Sequence, residues 1–203
     1  MVSDFNAKRD ALISTGTLLY QWGMVPATSG NFSARLSDNS IAITRSGAHK
    51  GHLCHEDIMQ VDSHGKSLDE RKPSAETLLH TTLYQRCPEI QVILHPHSLN
   101  ATLISRVTPT HQLTLTQYEL LKAFPNVETH DTQVNIPIFD NDQDIDRLSK
   151  IISAQLDPMQ SPGYLIRGHG FYTWGADMHE TLKHIEALEF LFKCEYQLRK
   201  MKQ

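Results

Sequence analysis

The sequence contains few cysteines and no closely paired ones. Cys54, Cys87 and Cys194 are odd in number and widely separated, and no CxxC spacing occurs among the 203 residues. Small disulfide-stapled domains need an even, regularly spaced set of cysteines. The absence of such a set favours reduced thiols, so we expect a cytoplasmic protein.

Long apolar runs and excess positive charge are also missing. No stretch approaches the ~20 apolar residues of a membrane span, and the N-terminal segment MVSDFNAKRDALIS lacks the apolar core of a signal peptide. The formal charge is −4 and the pI is near 6.3. A mildly acidic chain has no general attraction to nucleic acid or anionic lipid. We therefore expect neither nucleic acid nor a membrane as a partner, although a phosphate can still bind at a local site.

The composition is that of an ordered globular chain, with 39% hydrophobic and 21% charged residues. No repeat or low-complexity linker divides it, so we predict a single domain over residues 1–203. Helical and strand patterns alternate, and two pairs of strands look joined as hairpins. This pattern predicts an α/β sandwich around a mixed or antiparallel sheet.

Some local patterns predict individual helices, a helix cap and the place of one strand in the sheet. Helices are predicted over residues 4–22, 116–123 and 177–200. Ser74 is the candidate N-cap of a helix over SAETLLHTTLYQR. The proline within VNIPIF predicts that this strand lies at an edge of the sheet.

Two histidines, His95 and His97, follow the apolar segment QVIL. Residues i and i+2 of a strand point to the same face, so both imidazoles can meet one metal ion. His169 is a third candidate, because the glycines of RGHG permit a tight turn and a close approach to a ligand. Three histidines leave an open position, as in catalytic zinc sites, and imidazole suits zinc better than magnesium. An isolated HxH pattern is more often only the polar end of a strand.

The order of the motifs is more specific than any one of them. GNFS at 30–33 precedes ITRSG at 43–47, PSAE stands at 73–76, HPH at 95–97, and RGHGFYTWG at 167–175 precedes a closing helix. In this order they resemble the class II aldolase and adducin family, from residue 8 to about residue 195. The resemblance implies a three-layer αβα sandwich around a central mixed, largely antiparallel sheet. It also implies one Zn²⁺ per subunit on His95, His97 and His169, a phosphorylated ketose substrate, and a homotetramer.

Three segments are most similar to the dehydratases of this family: WGMVPATSGNFS at 22–33, SGAHK at 46–50 and QYELLK at 117–122. This similarity implies dehydration of a methylthio-substituted ketose 1-phosphate in methionine salvage, with Glu119 as the acid/base residue. The aldolases of the family instead resemble the chain at Glu76, which serves them at the metal as ligand or base. A sugar-phosphate aldolase or epimerase therefore stays an alternative. A non-catalytic adducin-like module is a further one, although such modules have lost the metal site.

Small polar loops offer a place for the phosphate group. A phosphate dianion favours backbone N–H groups, hydroxyls and a helix N-terminus. The family resemblance implies this role for Asn31, Ser46, Gly47 and Ser74, and Lys50 and Lys122 are weaker candidates for the cation. Each of these loops is also an ordinary turn sequence without any ligand.

Overall fold

The computed structural model describes residues 4–202. The helices are α1 (Asp4–Gln21), α2 (Thr77–Arg86), α3 (Leu99–Val107), α4 (Ile145–Gln155) and α5 (Met178–Met201). The strands are β1 (Asn31–Arg35), β2 (Ile41–Thr44), β3 (Ile58–Val61), β4 (Val92–His95), β5 (Gln112–Thr116), β6 (Gln133–Phe139), β7 (Gly163–Ile166) and β8 (Gly170–Gly175). Within this part of the chain, no helix has both the length and the hydrophobicity needed to cross a bilayer.

The strands form one sheet in the order β3-β2-β1-β4-β8-β7-β6-β5. Every neighbouring pair is antiparallel except β6 and β7, which run parallel. The predicted mixed, largely antiparallel sheet is therefore confirmed. The hairpin between β1 and β2 turns at Asn39, whose φ of 65° suits the left-handed conformation that asparagine tolerates.

Helices cover both faces of this sheet, which makes the three layers. Strand alternation divides the core, since Val92 and Leu94 of β4 point to one face and Ile93 to the other. The first face packs against α1, α3 and α5, and the second against α2 and α4. Because His95 is two residues beyond Ile93, its side chain lies on the α2 side, and this places it at the site described below.

Three local expectations are wrong. Helix α2 begins at Thr77 with Glu76 at its N-cap position, so Ser74 does not cap it. The 116–123 segment is the end of β5 followed by a short 3₁₀ turn at Glu119–Ala123. Strand β6 lies inside the sheet between β5 and β7 despite Pro137.

Pro137 is tolerated there because of where its nitrogen points. Ile138 donates its N–H to the carbonyl of His111 on the β5 side, at 2.8 Å. Successive N–H groups alternate in direction, so the Pro137 nitrogen faces β7. Pairing between β6 and β7 begins only at Ile138, opposite Leu165. No ladder hydrogen bond is therefore lost at the proline.

Candidate metal centre and phosphate cavity

The end of β4 brings two histidine rings together. The Nε2 atoms of His95 and His97 lie 2.9 Å apart. His95 is completely buried and is the last residue of the strand, while His97 lies just beyond it. The backbone N–H of His97 donates to the carbonyl of Met24 at 2.8 Å, which fixes the chain after the strand ends.

The turn between β7 and β8 supplies His169. Its ring centroid lies 4.2 Å from that of His97 and 5.1 Å from that of His95. Gly168 has a φ of +68°, and a Cβ on Gly170 would lie 2.3 Å from the carbonyl oxygen of Pro96. The glycines on both sides of His169 are thus required by the left-handed turn and by the close approach to β4.

Glu76 completes the cluster from the start of α2. Its Oε2 lies 3.3 Å from Nε2 of His95, and its Oε1 lies 3.7 Å from Nε2 of His169. Asn31 and Tyr172 both donate to Oε2, at 2.7 and 3.0 Å. The four potential ligand atoms of Glu76, His95, His97 and His169 all lie within 4.8 Å of one another.

The protonation of the rings suits a metal ion. His95 Nδ1 is 2.8 Å from the carbonyl oxygen of Phe171, so Nδ1 carries the proton and Nε2 keeps its lone pair. Burial lowers the pKa of His95 well below its usual value and that of His97 to about 2, which keeps both rings neutral. Neutral imidazoles and a carboxylate are the donor set of mononuclear metal sites, so these four residues can hold a metal ion.

A cavity of about 380 Å³ opens beside this cluster. Five of the six candidate phosphate residues line it, namely Asn31, Ser46, Gly47, Lys50 and Ser74, whereas Lys122 does not. The Lys50 side chain is buried and donates to the carbonyls of Thr28 and Ala48, at 2.9 and 2.6 Å. Burial lowers its pKa to about 8. A volume of this size suits a small metabolite.

The cavity also has lining residues that the sequence reasoning missed. Arg45 adds a second cation, and its Nε donates to Asp57 Oδ1 at 2.7 Å. The sequence did contain a signal for Arg45, because this residue lies inside the ITRSG motif. Asn141, Asp142 and Gln143 come from the loop between β6 and α4. No local sequence pattern identifies that loop, because only the order of the strands in the sheet places it beside the cavity.

Glu119 does not line this cavity in its own chain. It is exposed, and its carboxylate pairs with Lys122 and His130. The hydrogen bond from Lys122 lowers the pKa of Glu119. Thr116 at the end of β5 pairs with Gln133 at the start of β6. The loop after the opposite end of β6 lines the cavity, so Glu119 and Lys122 follow the far end of the β5–β6 hairpin.

Residues 10–196 match the family described as Class II Aldolase and Adducin N-terminal domain. The chain belongs to the class II aldolase and adducin family. A methylthioribulose-1-phosphate dehydratase from Methylococcus capsulatus is 51% identical to this chain over 203 residues, and the match covers 98% of each chain. A protein of the same name from Pseudomonas syringae pv. syringae is 53% identical over 190 residues, covering 93% of each chain. The predicted family and the similarity to its dehydratases are confirmed.

The fold of this family member is also found among solved structures. The L-fuculose-1-phosphate aldolase from Thermus thermophilus superposes with a TM-score of 0.77 at 22% identity, covering 97% of each chain. At this identity the likeness concerns the fold alone. It agrees with the predicted class II aldolase-like sandwich.

Proposed function

We propose that this protein is a zinc-dependent hydro-lyase that dehydrates 5-methylthioribulose 1-phosphate to 2,3-diketo-5-methylthiopentyl 1-phosphate in methionine salvage. The observation that carries this proposal is the identity of 51–53%, over more than nine-tenths of the chain, to proteins named methylthioribulose-1-phosphate dehydratase. The cluster of Glu76 and three histidines beside a small polar cavity is the site that such a reaction needs.

In this proposal His95, His97 and His169 hold one zinc ion, and Glu76 is a further ligand or a neighbour of the ion. Bound zinc supplies Lewis-acid polarisation of the substrate carbonyl, which acidifies the adjacent C–H group. Asn31, Ser46, Gly47, Lys50 and Ser74 bind the phosphate, and Arg45 adds a second positive charge. These groups surround one cavity, which supports a single substrate-binding site.

The proposed acid/base residue is Glu119, which takes the proton from carbon 3 and helps the hydroxyl leave carbon 4 as water. Glu76 is the alternative, but its carboxylate already accepts hydrogen bonds from Asn31 and Tyr172. Glu119 follows the far end of the β5–β6 hairpin, so in this proposal it enters the cavity of a neighbouring subunit in a homotetramer. Its exposure supports that assignment.

Metal content and product analysis test the function together. We expect about one zinc per chain and formation of the diketone phosphate, both lost in His97→Ala. His179→Ala changes an exposed histidine on α5 and is the matched control, which should keep both. Bound zinc with cleavage or epimerisation of a sugar phosphate would replace the dehydratase by an aldolase or epimerase. A metal-free protein that forms the diketone would overturn the zinc proposal.

Mixing two inactive variants tests the origin of the acid/base residue. If Glu119 acts across a subunit contact, tetramers reassembled from Glu119→Gln and His97→Ala chains contain some complete sites. Activity should then return on mixing, although each variant alone is inactive. Failure to recover activity in verified mixed tetramers would contradict a contribution of Glu119 across the subunit contact. A Glu119→Gln variant that keeps full activity would instead give the acid/base role to Glu76.

A further inference from the structure

A column of buried polar side chains lies directly behind the metal-facing carboxylate. Asn31, Ser33 and Arg35 alternate along β1 and point to the same face of the sheet. Glu76, His80 and Tyr84 recur every four residues on the α2 side and form one stripe of that helix. Two residues of a strand and four of a helix rise by similar amounts, about 6–7 Å. The side chains of the β1 row and those of the α2 row therefore lie opposite each other along the two elements.

Each step of the column is a hydrogen bond. Asn31 Nδ2 donates to Glu76 Oε2 at 2.7 Å, and Asn31 Oδ1 contacts His80 Nε2. His80 Nδ1 is 2.7 Å from Ser33 Oγ, which is 2.9 Å from the hydroxyl of Tyr84. His80 and Ser33 are fully buried, and Tyr84 is nearly so. Arg35 closes the column by donating to the carbonyl of Tyr84 at 2.6 Å.

The donor and acceptor groups of these side chains allow only one direction for the hydrogen bonds. The carboxylate of Glu76 accepts, so Asn31 must present its N–H₂ group to it and its carbonyl oxygen to His80. His80 Nε2 therefore carries the ring proton, and Nδ1 accepts the proton of Ser33. Tyr84 in turn donates to Ser33. Burial lowers the pKa of His80 to about 3, so the ring stays neutral and keeps this tautomer.

We propose that His80 is a positioning residue: through Asn31 it holds the Glu76 carboxylate toward His95 and His169, with Ser33 and Tyr84 fixing the tautomer of His80. This inference rests on the proposed metal-dependent function. If His80 took the other tautomer, Nε2 would need a donor and the Asn31 amide would turn over. Its carbonyl oxygen would then face the Glu76 carboxylate, and the two acceptors would repel each other.

The test uses variants that break the column without touching the metal cluster. Ser33→Ala removes the donor to His80 Nδ1. His80→Phe keeps a ring but removes both nitrogens, and His80→Gln restores a side-chain N–H that can donate to Asn31. Tyr84→Phe removes the last hydroxyl. Tyr164→Phe is the matched control. Tyr164 is buried in the same hydrophobic cluster as Tyr84, and its hydroxyl has no hydrogen-bond partner among the described residues.

Three measurements are made on zinc-loaded protein: zinc loss to a chelator, the tautomer of His80 from NMR of isotope-labelled histidine nitrogens, and kcat and KM. We expect Ser33→Ala and His80→Phe to lose zinc about tenfold faster or more, as for other residues that orient metal ligands. Their kcat should fall by a similar factor. His80→Gln should recover part of both losses. Tyr84→Phe should show a smaller loss, and Tyr164→Phe none.

Several results would overturn the inference. One is an unchanged Nε2–H tautomer and unchanged zinc retention in Ser33→Ala. Another is an equal loss in Tyr164→Phe, because that would indicate a general packing effect. A wild-type protein that binds no zinc would also refute it. If zinc retention responds as expected but no diketone forms, the positioning role stands and the proposed substrate fails.

Discussion

Lys50 shows how burial can make a single cation sensitive to pH. Its ammonium group is buried at the cavity wall and is stabilised by two backbone carbonyls and by the more distant Asp57. Burial penalises the charged form, so the pKa falls from 10.5 to about 8. The charge that would meet a substrate phosphate is therefore lost in mildly alkaline solution.

We predict that KM for the phosphorylated substrate is flat from pH 7 to near pH 8 and rises above it. The substrate phosphate has its second pKa near 6 and stays a dianion in this range, so only the enzyme group titrates. In Lys50→Gln the KM should be raised about tenfold or more at pH 7, the loss of a charged hydrogen bond, and this rise above pH 8 should be gone. Lys150→Gln, on the exposed side of α4, should match the wild type. A wild-type KM that is flat to pH 9.5 would contradict the assignment.

The turn between β7 and β8 is an element whose shape is decided by contacts to other elements. Gly168 N–H donates to Ser105 Oγ at 2.9 Å, and Thr102 donates to the carbonyl of His169 at 3.1 Å, so α3 holds the turn from one side. On the other side Gly170 packs against the backbone at Pro96. His169 reaches the cluster only while both contacts are kept.

We predict that Gly170→Ala separates His169 from the other ligands. The added Cβ would lie 2.3 Å from the Pro96 oxygen and 3.1 Å from His95 Cε1, so the turn must move away. We expect a destabilisation of ~1–3 kcal/mol, as for other overpacked sites, together with loss of tight metal binding. Chemical denaturation and zinc titration measure the two effects. Gly23→Ala is the control, because its φ of +72° imposes strain while no atom lies within 4 Å. Equal zinc affinity in both variants would refute the prediction.

The whole molecule carries buried neutral histidines that tie its stability to pH. The folded state holds the pKa of His80 near 3, whereas an unfolded histidine titrates near 6.5. Between these values the unfolded state binds a proton that the folded state does not. The contribution of neutral His80 to the free energy of unfolding is fully present above pH 6.5 and is lost as the pH falls from 6.5 toward 3.

We predict that His80→Phe flattens the acid limb of the stability curve. Between pH 7 and pH 5 the wild type should lose ~2 kcal/mol more unfolding free energy than the variant, the amount expected for one proton over this range. Urea unfolding at both pH values measures the difference, whatever the variant's stability at pH 7. His179→Ala, which removes an exposed histidine, should keep the wild-type dependence. A wild-type dependence in His80→Phe would mean that His80 does not stay neutral in the folded protein.

Sequence patterns alone located much of this site. His95 and His97 are separated by one residue at a strand end, and His169 lies between two glycines, so each position has a local cause. Ser46 and Gly47 likewise lie in a turn that local composition predicts. These predictions agree with the structure because strand alternation and turn chemistry depend on neighbours in the chain.

Local sequence patterns and the family resemblance predicted most of the elements, the mixed sheet and the three histidines. The family resemblance raised Glu76 as a possible ligand, but only the folded chain shows that its carboxylate meets the histidines and accepts from Asn31. The fold also shows that Glu119 follows the far end of the β5–β6 hairpin. Those facts depend on how α2 is aligned along β1 and on which end of β6 pairs with the end of β5. Packing of the whole core sets both, and no short stretch of sequence contains that information.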